Sequence, residues 1–230
     1  TIPADDECFN RLVAEELSYD AAKLTVEAET LYCKLNDERR SIHHEIVSAV
    51  YVAKGGVYFV SGCGGSGKTF LWNSIVATLR SQRRVALVVA SSGAASLLLP
   101  GGRTGHSRFK IPLDVNERSQ CGISRSSMLA GLCQWASLIL WDEAPMTNRL
   151  CFEALDRTLR DVLSIHNENN GMLPFGGKLM LLGGDFRQIL RVVEGGTKED
   201  IIDASLISSL LWPYIKVRKL HTNMRLCNAF

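Results

Sequence analysis

One stretch decides the fold of this chain: Gly62-Cys63-Gly64-Gly65-Ser66-Gly67-Lys68-Thr69. It matches the pattern G-x-x-x-x-G-K-T/S at every fixed position. The apolar run 57–60 precedes it, and a helical pattern over residues 70–79 follows it. Strand, glycine-rich loop and helix in this order predict a phosphate-binding loop rather than a glycine-rich turn that binds nothing.

The loop's composition indicates how it would hold a nucleotide. Its glycines let the backbone fold tightly and point N–H groups inward, and the start of the next helix adds partial positive charge. Lys68 is expected to reach the β- and γ-phosphates, and the Thr69 hydroxyl to bind Mg²⁺. The predicted nucleotide contacts are Gly62, Gly64, Gly65, Ser66, Gly67, Lys68 and Thr69.

The composition limits the class of protein. The 230 residues, 46% of them hydrophobic, are enough for one large domain with a sizeable core. A net charge of +2 does not by itself indicate a nucleic-acid partner, which would need local basic patches. Seven cysteines without C-x-x-C spacing, and no signal peptide, favour an intracellular protein with reduced thiols. No apolar run is long enough to span a membrane, and the start at Thr1 suggests a piece of a longer protein.

Apolar, β-rich runs alternate with helical stretches from residue 57 onward. Such runs predict strands buried on both faces, and their alternation with helices predicts a parallel sheet. We expect an α/β fold in which residues 55–230 form the nucleotide-binding domain, after a helical segment, 1–54, where Asn36 caps a helix. Two stretches, 100–125 and 166–177, are predicted as loops. The predicted strands are 57–60, 85–90, 138–141, 178–182 and, more weakly, 214–220.

Two further strand ends carry polar side chains. Asp142 and Glu143 follow the run 138–141, and Gln188 follows the run 178–182. Parallel sheets bind ligands at the carboxyl ends of their strands, so we expect these groups to meet the phosphate loop. Asp142 is predicted to hold Mg²⁺, Glu143 to act as the general base for water, and Gln188 to contact the γ-phosphate or that water. The alternative is that these polar residues merely end two core strands.

Several segments together resemble the Pif-type DNA helicases of superfamily one, and most closely their plant and Helitron-transposon members. The resemblance covers residues from about 30 to 226, and it depends on the order of the segments rather than on any single one. The segments are GCGGSGKT (62–69), the stretch from Ser91 through GGRTGHSRFKIP (101–112), LILWDEAPM (138–146), PFGG (174–177), GGDFRQIL (183–190) and LHTNMR (220–225).

The resemblance implies an ATP-dependent helicase that moves 5′ to 3′ on single-stranded DNA, with ATP and Mg²⁺ as cofactors. This chain would be its first motor domain, a RecA-like P-loop NTPase, and the protein would be nuclear, with the mitochondrion as the alternative. Arg225 is similar to an arginine that contacts the γ-phosphate, where a guanidinium can pair two oxygens. The family's later motifs are absent from these residues. We therefore expect a second RecA-like domain as a partner, without which the chain does not unwind DNA.

The same resemblance implies single-strand contacts around residues 91–95 and 101–112. The residues themselves suit that role, because a basic strip with an aromatic side chain is typical of a single-strand groove. From the residues alone, a solvated loop is an equal alternative. The predicted DNA contacts are Arg103, Thr104, His106, Ser107, Arg108, Phe109 and Lys110.

Two positions depart from the family pattern. Where the family has Leu-Asn-x-x-Gln, whose glutamine reads adenine, this chain has Arg39, with Arg40 as the neighbouring alternative in the alignment. Arginine has five donors and no acceptor, so we predict that Arg39 favours guanine and weakens the preference for ATP over GTP. Arg191 stands where the family has proline.

These departures leave a second hypothesis open, a nucleotide-dependent DNA-binding module that no longer hydrolyses ATP. A third, a small-molecule kinase, is disfavoured by the segment 183–188 and by the basic residues of 103–110.

Overall fold

In the computed structural model, residues 10–165, 167–188 and 197–224 are described, and within them six strands form one sheet. The strand order is β3-β2-β4-β5-β1-β6, and all five neighbouring pairs are parallel. The strands are β1 (Gly56–Gly62), β2 (Val85–Ala90), β3 (Arg103–Thr104), β4 (Ala136–Asp142), β5 (Leu179–Gly184) and β6 (Ile215–Leu220). The predicted α/β fold with a parallel sheet is confirmed.

The described residues also form nine α-helices and several short 3-10 helices. The α-helices are α1 (Arg11–Leu17), α2 (Ala21–Cys33), α3 (Asp37–Tyr51), α4 (Lys68–Ser81), α5 (Gly93–Ser96), α6 (Gly105–Phe109), α7 (Met128–Trp135), α8 (Arg149–Leu163) and α9 (Lys198–Asp203). The 3-10 helices are Ala144–Met146, Glu168–Met172, Pro174–Gly177, Leu206–Ser208 and Trp212–Tyr214. In this part of the chain no helix is both long and apolar enough to cross a bilayer.

Helix α4 differs from the other described α-helices in its N-cap. A side chain of Asn, Asp, Ser or Thr accepts a hydrogen bond from the first turn of each of the other eight described α-helices; Asn36 does so for α3, as predicted. The N-cap of α4 is Gly67, which provides no such acceptor. Because the first N–H groups of a helix have no partner within the helix, those of α4 remain available to an anion.

Two hydrophobic cores lie on the two faces of the sheet, because successive strand residues point to opposite faces. Val57 and Phe59 pack in one core with residues of α1, α7 and α8. Tyr58 and Val60 pack in the other with residues of α3 and α4. The helices that precede β1 therefore share the cores of the sheet.

The stretch 100–125 holds regular structure that the sequence did not predict. It contains the two-residue strand β3, which pairs with the end of β2, and the five-residue helix α6. Elements this short have no hydrophobic period of their own, so sequence patterns do not reveal them. The other five strands begin and end within two residues of the predicted runs.

Candidate functional site

The phosphate loop joins the end of β1 to the start of α4, as its sequence predicts. Gly65 and Gly67 have φ angles of 82° and 78°, a left-handed conformation that glycine adopts without strain. Position 62 has no room for a side chain, because a Cβ on Gly62 would lie 2.4 Å from Ser66 Oγ. These glycines allow the loop to curl around the free N–H groups at the start of α4.

Lys68 is the cation of this loop. Its Nζ donates to the carbonyl of Gly62 and, at 3.3 Å, to that of Cys63. Burial lowers the pKa of Lys68, while the nearby carboxylates of Asp142 and Asp185 oppose that shift. The ammonium group is thus flanked by acids at the carboxyl edge of the sheet.

A cavity of about 610 Å³ opens at this edge. It brings together the phosphate loop and the ends of β4 and β5, as expected for a parallel sheet. The predicted site residues that line it are Gly64, Gly65, Ser66, Gly67, Lys68, Thr69, Asp142, Glu143 and Gln188.

Asp142 is the carboxylate best placed to hold a cation. It is 7% exposed, and its Oδ1 is buried without a hydrogen-bond partner among the described residues. A buried carboxylate oxygen is costly unless a cation or donor meets it, and Thr69 lines the same cavity. A carboxylate and a hydroxyl beside a phosphate loop fit Mg²⁺, which takes its other ligands from phosphates and water.

Glu143 is held by two serines that follow β2. Its φ of 54° places a non-glycine residue in the left-handed region. Ser91 Oγ donates to the Glu143 carbonyl at 2.7 Å, and Ser92 Oγ donates to Glu143 Oε2 at 3.0 Å. Sequence reasoning assigned this serine pair to the DNA region and missed its bonds to the predicted base; two hydroxyls directly after a buried strand were the available signal.

Gln188 follows β5, whose last two residues are glycines. A Cβ on Gly183 would lie 2.3 Å from Trp72, and one on Gly184 would lie 2.3 Å from Pro145, so both glycines permit close packing. Nε2 of Gln188 lies 3.1 Å from the position that a Cβ on Gly64 would take, which puts the amide beside the phosphate loop.

Arg191 and Arg225, both singled out in the sequence analysis, lie outside the residues that the structure describes. Next to Arg225, the Met224 N–H donates to the Gly65 carbonyl at 3.0 Å. The segment that leads to Arg225 therefore touches the phosphate loop.

Arg39 lies beneath the phosphate loop and does not line the cavity. It is 2% exposed, and its Nε donates to the Ser66 carbonyl at 3.0 Å. Its Nη2 donates to the same carbonyl and, at 3.1 Å, to that of Thr222. Most of its donors are thus directed at backbone carbonyls.

The predicted DNA contacts divide into exposed and buried residues. Arg103, Ser107 and Lys110 are exposed, while Thr104 and His106 are half-buried. The other two belong to the interior, which corrects the prediction for both.

Arg108 is 6% exposed and donates to the carboxylate of Glu16 in α1 at 2.5 Å. Phe109 is fully buried, and its ring stacks on that of Trp141 at a centroid distance of 6.3 Å. Neither offers DNA a phosphate donor or a stacking face. Glu16 also binds Arg80, so one buried carboxylate pairs with two arginines.

Comparisons with known proteins identify the family to which this chain belongs. The model of the PIF1-like helicase family matches residues 34–229. An ATP-dependent DNA helicase PIF4 of Trypanosoma brucei is 31% identical over 170 residues, which are 72% of this chain and 19% of the relative. An ATP-dependent DNA helicase Pif1 of Campylobacter jejuni is 28% identical over 70% of this chain and 35% of its own length. The chain thus spans about a fifth to a third of these relatives.

Solved structures show the same fold. The Bacteroides Pif1 helicase in complex with ADP-AlF3 and single-stranded DNA has a TM-score of 0.64, with 24% identity over 80% of this chain and 42% of that one. The Bacteroides Pif1 in complex with ADP-AlF4 has a TM-score of 0.65 at 24% identity, over 83% of this chain and 43% of that one. The chain belongs to the PIF1-like helicase family, and its six-stranded sheet resembles the RecA-like P-loop domain of these helicases.

Proposed function

We propose that this chain, as a PIF1-like helicase, is the first motor domain of an ATP-dependent DNA helicase, which hydrolyses ATP with Mg²⁺ and binds single-stranded DNA. The observation that carries the proposal is the single cavity shared by Lys68, Thr69, Asp142, Glu143 and Gln188. Its volume of about 610 Å³ is within the range usual for small-molecule sites.

The side chains have separable roles in this reaction. Lys68 and the N–H groups of α4 bind the phosphates, and Thr69 and Asp142 would hold Mg²⁺. When bound, the ion would supply positive charge beside the phosphate oxygens. Glu143 accepts a proton from the attacking water, and Gln188 orients that water.

Single-stranded DNA would follow the carboxyl edge of the sheet near 91–95 and the exposed Arg103, Ser107 and Lys110. The Bacteroides Pif1 in complex with single-stranded DNA, which shares this fold, supports that partner. The proposal extends to 5′-to-3′ movement, to a second RecA-like domain that closes the cleft, and to a nuclear location. These rest on the family resemblance, because the chain spans only part of its relatives.

Phosphate release in the presence and absence of single-stranded DNA tests the proposal. Glu143→Gln should keep nucleotide binding and slow hydrolysis by about 10²- to 10⁴-fold, the usual contribution of a general base. Lys68→Ala should abolish tight nucleotide binding, because it removes the phosphate cation. Glu27→Gln, the same chemical change on the exposed side of α2, is the matched control and should change neither.

The outcomes separate the candidate functions. A Glu143→Gln protein that turns over normally would remove Glu143 from its role. Nucleotide-dependent DNA binding without hydrolysis in the unmutated chain would favour the binding module instead, and hydrolysis without any response to DNA would favour a kinase-like NTPase.

A further inference from the structure

Arg39 joins the phosphate loop to two other parts of the chain, helix α3 and the segment after β6. It belongs to the first turn of α3, and its side chain reaches the Ser66 carbonyl in the phosphate loop and the Thr222 carbonyl after β6. The contact is close, because a Cβ on Gly67 would lie 2.9 Å from Arg39 Nε. The guanidinium therefore packs directly against the glycine that caps α4.

The neighbouring residue Glu38 supports the same arrangement. Its carboxylate accepts from the backbone N–H groups of His221, at 2.8 Å, and Thr222, at 3.4 Å. The segment after β6 is thus held by an acceptor and a donor from consecutive residues of α3. The same segment contacts the phosphate loop directly through the bond from Met224 N–H to the Gly65 carbonyl.

The charge of Arg39 is not neutralised locally. Among the described residues no carboxylate lies within ion-pair distance of it, and its Nη1 is buried without a partner. A buried cation with only carbonyl partners gives the loop above it a positive potential. That potential favours the phosphates of any nucleotide, whichever base it carries.

We infer that Arg39 is a positioning residue, which ties the phosphate loop to the segment after β6 and strengthens triphosphate binding without reading the base. The inference rests on the proposed function only in assigning the cavity to a nucleoside triphosphate. It replaces the expectation that Arg39 pairs with guanine, because the guanidinium that would make that pair is occupied beneath the loop. A glutamine side chain has only two N–H donors, so it cannot make the same three bonds.

Competition binding with ATP, GTP and inorganic tripolyphosphate tests the inference. Arg39→Gln and Arg39→Lys should weaken all three ligands by a similar factor, on the order of tenfold for the loss of charge-assisted hydrogen bonds. The lysine variant keeps the charge and should lose less affinity. Arg11→Gln, on the exposed face of α1, is the matched control and should leave all three affinities unchanged.

Amide hydrogen exchange separates positioning from general stability. In Arg39→Lys, exchange should accelerate at Ser66 and Met224, whose N–H groups are bonded to the Cys63 and Gly65 carbonyls, while the amides of β2 keep their protection. Acceleration throughout the sheet would assign Arg39 to overall stability and overturn the inference. A variant effect confined to GTP or to ATP would overturn it as well, since that result requires contact with the base. Failure of the unmutated chain to bind any of the three ligands would instead contradict the proposed function.

Discussion

Gly183→Ala should destabilise the fold and weaken nucleotide binding together. Gly183 lies in β5, and an added Cβ would be 2.3 Å from Trp72 Cζ2 and 3.3 Å from Asp142 Oδ1. Non-bonded carbon atoms prefer separations of about 3.5–4.0 Å, so the indole or the strand must move by roughly 1 Å. Trp72 is fully buried in α4, one turn after Lys68, and overpacking of this kind costs about 1–3 kcal/mol. The shift would displace the start of α4, which we propose binds the phosphates.

Urea unfolding and ATP titration measure the two effects. The midpoint should fall without a change in the slope of unfolding free energy against urea, and ATP affinity should fall with it. Gly93→Ala is the control for unfolding, because a Cβ there meets nothing within 4 Å and helix α5 accepts alanine. Equal unfolding midpoints for Gly183→Ala and Gly93→Ala would refute the argument that β5 and α4 require a glycine between them.

Three further predictions address other parts of the molecule. Glu16→Gln leaves two buried arginines without their carboxylate and should cost about 3–5 kcal/mol in urea unfolding, whereas Glu15→Gln on the exposed side of α1 should cost under about 1 kcal/mol. Burial lowers the pKa of His43 from 6.5 to about 4, so the folded protein binds fewer protons than the unfolded chain between these values. Stability should therefore fall as pH drops from about 6.5 to 4, by at most about 3 kcal/mol, and His43→Gln should flatten that dependence in thermal unfolding. Arg103→Ala and Lys110→Ala should each weaken single-strand binding and reduce its salt dependence in fluorescence titrations without changing the melting temperature; unchanged salt dependence would place DNA elsewhere.

The sequence predicted those parts of the fold that depend on local pattern. The run 85–90 is apolar at every position, and all six residues of β2 are buried. Asn36 was identifiable as a cap because its side chain needs only the next turn of the helix. The gathering of Asp142, Glu143 and Gln188 around the phosphate loop follows from the rule that parallel strands end at one edge.

Features that depend on distant partners could not be predicted in this way. Arg108 and Glu16 are 92 positions apart, and nothing near Arg108 indicates that its charge is buried. The orientation of Arg39 likewise depends on carbonyls 27 and 183 positions away. The sequence shows a basic loop, and its resemblance to the family shows an arginine in place of glutamine. Only the folded chain shows which surfaces these residues reach.

The hydrogen bond from Ser92 to Glu143 connects the proposed DNA contact with the proposed activation of water, which belong to separate segments of the sequence. Ser92 belongs to the segment assigned to DNA, and its hydroxyl restrains the carboxylate assigned to water activation. If single-stranded DNA binds as proposed and draws this hydroxyl away, Oε2 would be released to accept a proton from water. The effect is therefore expected in the rate of hydrolysis, a kinetic quantity to which the reciprocity of binding free energies does not extend. A Ser92→Ala protein, whose Glu143 carboxylate lacks this bond from the start, should therefore show phosphate release that responds less to single-stranded DNA.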